Sequence, residues 1–313
     1  MRQVIIENPV LNSPFDEPSR HFRFDEEGIT NDIVEERRIS SYFIPIAQPH
    51  RRGSQQLPFD TEWTKDRIEE NKVVHRIRQR IGLWREGGYL GVTPTTSSLL
   101  EYWTKPERER KLFFCQIEAL ETAIYIAEVA KNPWIENQLR EANDQSNPGL
   151  PRMALKMATG SGKTVVMAML IAWQTLNKLA NPQDTRFSDT FLIITPGITI
   201  RDRLRVLLPN DPENYYRQRD ILPGHLLEQL SQAKVLITNF HAFKLREKVS
   251  AGKLTKAILA EGNDGAFTET PGQMVRRVCR ELGSKKNIIV FNDEAHHCYR
   301  RKPDGEDVKL YRR

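Results

Sequence analysis

The run Ala158-Thr159-Gly160-Ser161-Gly162-Lys163-Thr164 constrains the fold of this chain more than any other segment. Two glycines one residue apart permit a tight turn through left-handed backbone conformations that other residues resist. Before it, Arg152-Met153-Ala154-Leu155-Lys156-Met157 is a short apolar run and is expected as a strand. After it, the apolar pattern from Lys163 to about Leu179 predicts a helix. Strand, glycine turn and helix in that order open a β–α unit, and such units build a parallel sheet covered by helices.

Three further buried-type runs extend the pattern: Phe191–Thr195, Ala233–Thr238 and Asn287–Asn292. The expected fold class is α/β with a parallel sheet over residues 111–313. Residues 1–60 differ, because Pro9, Pro14, Pro18, Pro45, Pro49 and Pro58 interrupt helices. An extended arm is expected there, with a hairpin from His21–Phe24 to Ile29–Ile33 and a strand at Ser41–Ile46. His50–Gln56 reads as a polar linker. A helical segment over 61–110 follows, with an amphipathic helix at 61–86 ended by Gly87-Gly88. A second helix is expected from Gln116 to about Lys131, stopped by Asn132-Pro133, and 140–151 reads as a polar connector.

Composition narrows the class of protein. Hydrophobic residues are 39% and charged residues 28% of the 313, an ordinary globular balance. No apolar run approaches the roughly 20 residues of a membrane span, and the N-terminus has no apolar signal core. Cys115, Cys279 and Cys298 are odd in number and far apart, which predicts a reducing, cytoplasmic setting without disulfides or a zinc module. Lysine and arginine exceed aspartate and glutamate by 47 to 41, a mild basic excess that suits a polyanionic partner.

The glycine loop has a specific chemistry. Its backbone N–H groups can turn inward around phosphate oxygens, and the helix N-terminus adds its positive end. In such a P-loop, Thr159, Gly160, Ser161 and Gly162 cradle phosphates, Lys163 reaches the β- and γ-phosphates, and the Thr164 hydroxyl ligates Mg²⁺. The strict pattern has glycine where this chain has Met157, which sets it apart from ordinary kinases and GTPases. Asp293-Glu294 follows the apolar run at 288–291. Carboxylates at the C-terminal edge of a parallel strand lie where α/β folds bind ligands. Asp293 is expected to hold Mg²⁺, and Glu294 to orient and deprotonate the attacking water. His296-His297-Cys298 is not read as a metal cluster, because neighbours on an extended chain point apart.

Met157–Thr164 together with Asp293-Glu294-Ala295-His296 resembles motifs I and II of superfamily 2 helicases. Methionine at the start of motif I is similar to the helicase (Res) subunits of type III restriction systems, whose motor is related to that of the UvrB repair helicase. The resemblance implies a RecA-like lobe that binds ATP and Mg²⁺, with His296 also at the nucleotide. Phe113–Leu120 resembles the upstream glutamine motif, which implies that Gln116 reads the adenine edge and a preceding phenylalanine stacks on the base. Thr195–Arg201 and Val235–Phe240 resemble motifs Ia and Ib, which implies sugar–phosphate contacts from Pro196, Gly197, Thr199, Arg201, Thr238 and Asn239. The implied partners are DNA and a methyltransferase or specificity subunit of a restriction system.

The family's motor also has a motif III and a second lobe that supplies an arginine finger. Neither is recognisable before Arg313, so a fragment with an incomplete sheet is expected. Two alternatives remain at this level: a DNA- or partner-binding fragment with a vestigial nucleotide site, and a motor that runs on RNA.

Overall fold

The computed structural model describes residues 6, 8–25, 28–43, 68–130, 132–146, 149–246 and 269–295. The polar linker at 50–56, the expected helix start at 61 and His296 lie outside the described residues. The chain divides into two compact units, 1–163 and 164–313.

In the first unit, β1 (His21–Asp25) and β2 (Gly28–Val34) form the expected antiparallel hairpin. Gly28 has φ 124°, a conformation that favours glycine at the turn. β3 (Ser41–Phe43) pairs antiparallel with β4 (Ile68–Glu70), which corrects the helix expected from 61. Helix α1 instead spans Lys72–Glu86, because the Asn71 side chain caps it by accepting from the Val74 N–H at 3.4 Å. Its buried face is Ile77, Ile81 and Trp84, and Gly87 closes it as expected. Within the segment expected to be helical, α2 (Pro94–Thr104) starts at a Thr93 cap with proline in its first turn and buries Leu99, Leu100 and Trp103.

Helix α3 (Phe114–Ile124) continues through a π-helical turn at Tyr125–Val129. That turn delivers Glu128 to the start of α2, where its carboxylate accepts from the Thr93 N–H and the Thr96 hydroxyl at 2.8 and 2.7 Å. α4 (Pro133–Ser146) runs through most of the segment read as a connector, with a capping contact from Asn132 Oδ1 to the Trp134 N–H.

The expected strand at 152–157 does not form. Residues 150–158 have no strand partner among the described residues, and Met153 is 48% exposed. An apolar run becomes a strand only when a neighbour pairs its backbone groups.

In the second unit, α5 (Lys163–Ala180) is buried from Val166 through Asn177. β5 (Thr190–Thr195), β6 (Lys234–Asn239) and β7 (Ile289–Asn292) form a parallel sheet in the order β6-β5-β7. β5 sits at the centre, with Phe191 and Ile193 fully buried, and Phe191 stacks on Phe291 at 6.1 Å. Between β5 and β6 lie α6 (Ile198–Arg203), α7 (Tyr215–Gln218) and α8 (Leu227–Leu230), while α9 (Pro271–Val278) precedes β7. Parallel strands joined through helices make this a RecA-like α/β lobe with a small sheet.

Candidate functional site

The glycine loop turns as its sequence requires. Gly160 and Gly162 have φ 80° and 83°, and helix α5 begins at Lys163. A Cβ at Gly160 would meet nothing within 4 Å, so backbone conformation and not space demands glycine there. Ser161 closes the turn on the Ala158 carbonyl, donating from its N–H at 3.3 Å and its hydroxyl at 2.6 Å. Alternating left-handed residues point successive amides to one side, a concavity suited to phosphate oxygens.

Helix α3 braces this loop. Gln116, 5% exposed, donates from Nε2 to the Ser161 carbonyl at 2.9 Å, while its Oε1 accepts from the Phe113 N–H at 3.0 Å. The residue expected at an adenine edge thus also ties the helix to the loop. The N-terminal arm holds the start of the same helix. The Pro14 carbonyl accepts from the Phe114 N–H at 2.8 Å, and the Phe15 ring packs on Phe113 at 5.7 Å. Arg37 donates to Glu17 and Glu118, both at 2.6 Å, and lies over the Phe114 ring at 5.5 Å.

Glu121, on the same face of α3, is fully buried and accepts from Arg85 Nε at 2.8 Å, Arg85 Nη2 at 2.5 Å and the Tyr89 hydroxyl at 2.6 Å. Burial first, and then the Glu121 carboxylate, push the Tyr89 phenol far above the ordinary tyrosine range. These supports were not visible in the sequence. Phe114, Glu118 and Glu121 follow helical spacing, but nothing local announces their distant partners.

In the second unit, the strand ends align. Thr195 is paired in register with Asn239, and Ile194 with Asn292. The Asp293 N–H donates to the Ile194 carbonyl at 3.0 Å and carries the ladder one residue past β7. Pro196, Gly197, Thr238, Asn239, Asp293 and Glu294 therefore gather at the C-terminal edge of the sheet. Glu294 has φ 49°, an uncommon conformation for a residue with a side chain.

Gly197 caps α6, and the Thr195 hydroxyl donates to the Gly197 carbonyl at 3.0 Å, which fixes the turn after β5. Thr199 is exposed, whereas Arg201 is engaged by Asp202 at 3.0 Å. Asn239 uses its side-chain oxygen to accept from the Ala242 N–H at 3.0 Å, so it shapes the turn after β6. That turn is also held by Arg277, which donates to the Ala242 and Lys244 carbonyls and to Glu269. Thr164 lies in the first turn of α5 and is half-buried.

The family model described as type III restriction enzyme, res subunit, matches residues 106–312, well over half of the chain. The chain belongs to that family. No curated protein and no solved structure matches it. The Res family is one of helicase-like, ATP-dependent motors, and its matched region contains Gln116, the glycine loop and Asp293-Glu294. Among the described residues, no helix is long and apolar enough to cross a membrane.

Proposed function

We propose that this chain is the ATP-binding and ATP-hydrolysing lobe of a DNA helicase or translocase that serves a restriction system. The observation that carries this reading is the loop at 158–162, whose two left-handed glycines open α5 within the matched family region. The amides of Gly160 to Lys163 cradle the phosphates of ATP, and Lys163 neutralises the β- and γ-phosphoryl oxygens. Thr164 and Asp293 would hold Mg²⁺, which when bound would draw charge from the phosphoryl oxygens and favour the leaving ADP. Glu294 accepts a proton from the attacking water as its oxygen bonds to the γ-phosphorus. Gln116 selects adenine with the hydrogen-bonding capacity left after its contacts with Ser161 and Phe113.

The strand-end residues Pro196, Gly197, Thr199, Arg201, Thr238 and Asn239 bind the sugar–phosphate backbone without reading sequence. Arg201 reaches a phosphate by exchanging Asp202, an exposed partner and therefore a weak competitor.

The test is ATP turnover and ATP affinity of the wild-type chain and Lys163→Ala, each with duplex DNA, single-stranded DNA or RNA added. The expected result is DNA-stimulated turnover that Lys163→Ala abolishes. Full affinity and turnover in Lys163→Ala would refute the nucleotide site. DNA binding with a flat turnover response would favour a non-catalytic binding fragment, and stimulation by RNA alone would reassign the track.

A further inference from the structure

The first unit also holds a basic site that none of the glycine-loop residues lines. The arm, α1 and the Glu118 face of α3 line an open cleft of about 260 Å³. Four guanidinium groups line it, from Arg37, Arg38, Arg78 and Arg85, against the carboxylates of Glu17 and Glu118. On the α1 wall, Gly82 adds no side chain between Arg78 and Arg85.

The arginines are not equally committed. Arg37 is bonded to Glu17 and Glu118, and Arg85 to the buried Glu121. The Arg78 side chain makes no hydrogen bond among the described residues, and its ion pair with Glu118 Oε1 is long, at 3.9 Å. Arg38 faces the Phe24 ring at 4.1 Å and has no carboxylate partner among the described residues. Four guanidinium groups against the three carboxylates of Glu17, Glu118 and Glu121 leave one positive charge in excess, on the side of Arg78 and Arg38. Burial first, and then repulsion by Arg37, lower the pKa of Arg78, and the attraction of Glu118 and Glu17 offsets them only in part. A planar fork of five donors in that condition matches the oxygens of a phosphate.

We propose that this cleft binds a phosphate monoester group, with Arg78 as its principal ligand and Arg38 as the second. A phosphate presents several oxygens that both guanidinium groups can donate to, whereas a chloride offers no such oxygen geometry. The site lies on α3 two residues beyond Gln116, and it is distinct from the glycine loop in both its residues and its chemistry: side-chain guanidinium groups replace backbone amides. It does not depend on the chain being an ATPase.

The test uses the full 313-residue chain carrying Lys163→Ala, which weakens phosphate binding at the loop. Calorimetric titration with inorganic phosphate at constant ionic strength, with chloride as the control anion, is expected to show one saturable site. Adding Arg78→Gln is expected to weaken it about tenfold or more, as for loss of a charge-assisted hydrogen bond. Arg38→Gln, on the exposed rim, is expected to weaken it less and guards against misfolding of the Arg78 variant; circular dichroism checks both. A single-stranded oligonucleotide with a 5′-phosphate, compared with its 5′-hydroxyl counterpart, tells a nucleic-acid end from a free phosphate. An Arg78-dependent preference for the phosphorylated end assigns that source, and equal binding assigns the free anion. Absence of saturable phosphate binding, or binding that neither arginine variant changes, overturns the proposal.

Discussion

Gln116 Nε2 donates to the Ser161 carbonyl at 2.9 Å, so a buried amide on α3 holds the peptide at the tip of the glycine loop. Because Ser161 sits between the two left-handed glycines, the tether restrains the part of the loop with most backbone freedom. Gln116→Ala is expected to raise the ATP dissociation constant about tenfold, in line with a hydrogen bond near 1.5 kcal/mol. Hydrogen exchange at the amides of 159–162 in the nucleotide-free protein is expected to accelerate as well. Unchanged exchange with weakened ATP binding would assign Gln116 to adenine alone.

Gly160→Ala probes conformation without crowding, since a Cβ there meets open space. The cost is expected from backbone alone, about 1–2 kcal/mol for a left-handed residue with a Cβ. Denaturant unfolding should show that loss, or else the loop should escape to another conformation and lose ATP affinity. A variant with wild-type stability and wild-type affinity would contradict the role given to the turn.

Glu121 provides a stability test away from the loop. Arg85→Ala leaves a fully buried carboxylate with only the Tyr89 hydroxyl, and is expected to cost about 3 kcal/mol. Glu121→Gln removes the buried charge and leaves Arg85, 29% exposed, able to reach water, so its cost should be smaller. Urea midpoints of the two variants give the comparison, and the reverse order would mean that Glu121 is not the group that needs compensation.

The α/β body was legible because β5, β6 and β7 are short apolar runs and α5 is a long one, patterns that burial imposes directly on sequence. The site was legible where chemistry needs residues close in sequence, as in the glycine loop. The helical segment over 61–110 was given no bounds for α2, although Thr93-Pro94 is a cap followed by a first-turn proline, a signal that marks its start. α4 was hidden by its polar composition. The strand expected at 152–157 was misread because apolar content does not supply a pairing partner. The brace from Arg37 to Glu118 joins residues 81 positions apart, and no local pattern encodes such a contact.

Glu294 is expected to separate binding from chemistry. Glu294→Gln keeps the side-chain shape but cannot accept the proton from water. ATP turnover should fall by about 10²–10⁴, while ATP affinity stays within a few-fold of wild type. Stopped-flow nucleotide binding alongside phosphate release checks both halves, and undiminished turnover would remove Glu294 from the catalytic step.

The start of the sheet predicts a small acid sensitivity. Burial alone would raise the Asp189 pKa, but hydrogen bonds from Lys285 at 2.9 Å and Thr190 at 2.8 Å outweigh it and hold it below the ordinary range. A depressed carboxylate contributes stability that is complete above its unfolded pKa, near 3.9, and is lost as pH falls through the folded value. The pair is half-exposed, so the contribution should not exceed about 1 kcal/mol. Asp189→Asn should therefore reduce stability at pH 7 by that amount and make no difference at pH 2, as measured by denaturant unfolding.

The family match begins at residue 106, yet the carboxylates of Glu118 and Glu121 inside it are neutralised by Arg37 and Arg85, with a hydrogen bond from Tyr89, all from before it. The stretch that is shared by descent and the stretch that can stand alone as a folded body are thus out of step. A protein begun at residue 106 would carry two stranded negative charges on the helix that grips the glycine loop, and its first casualty would be the shape of that loop.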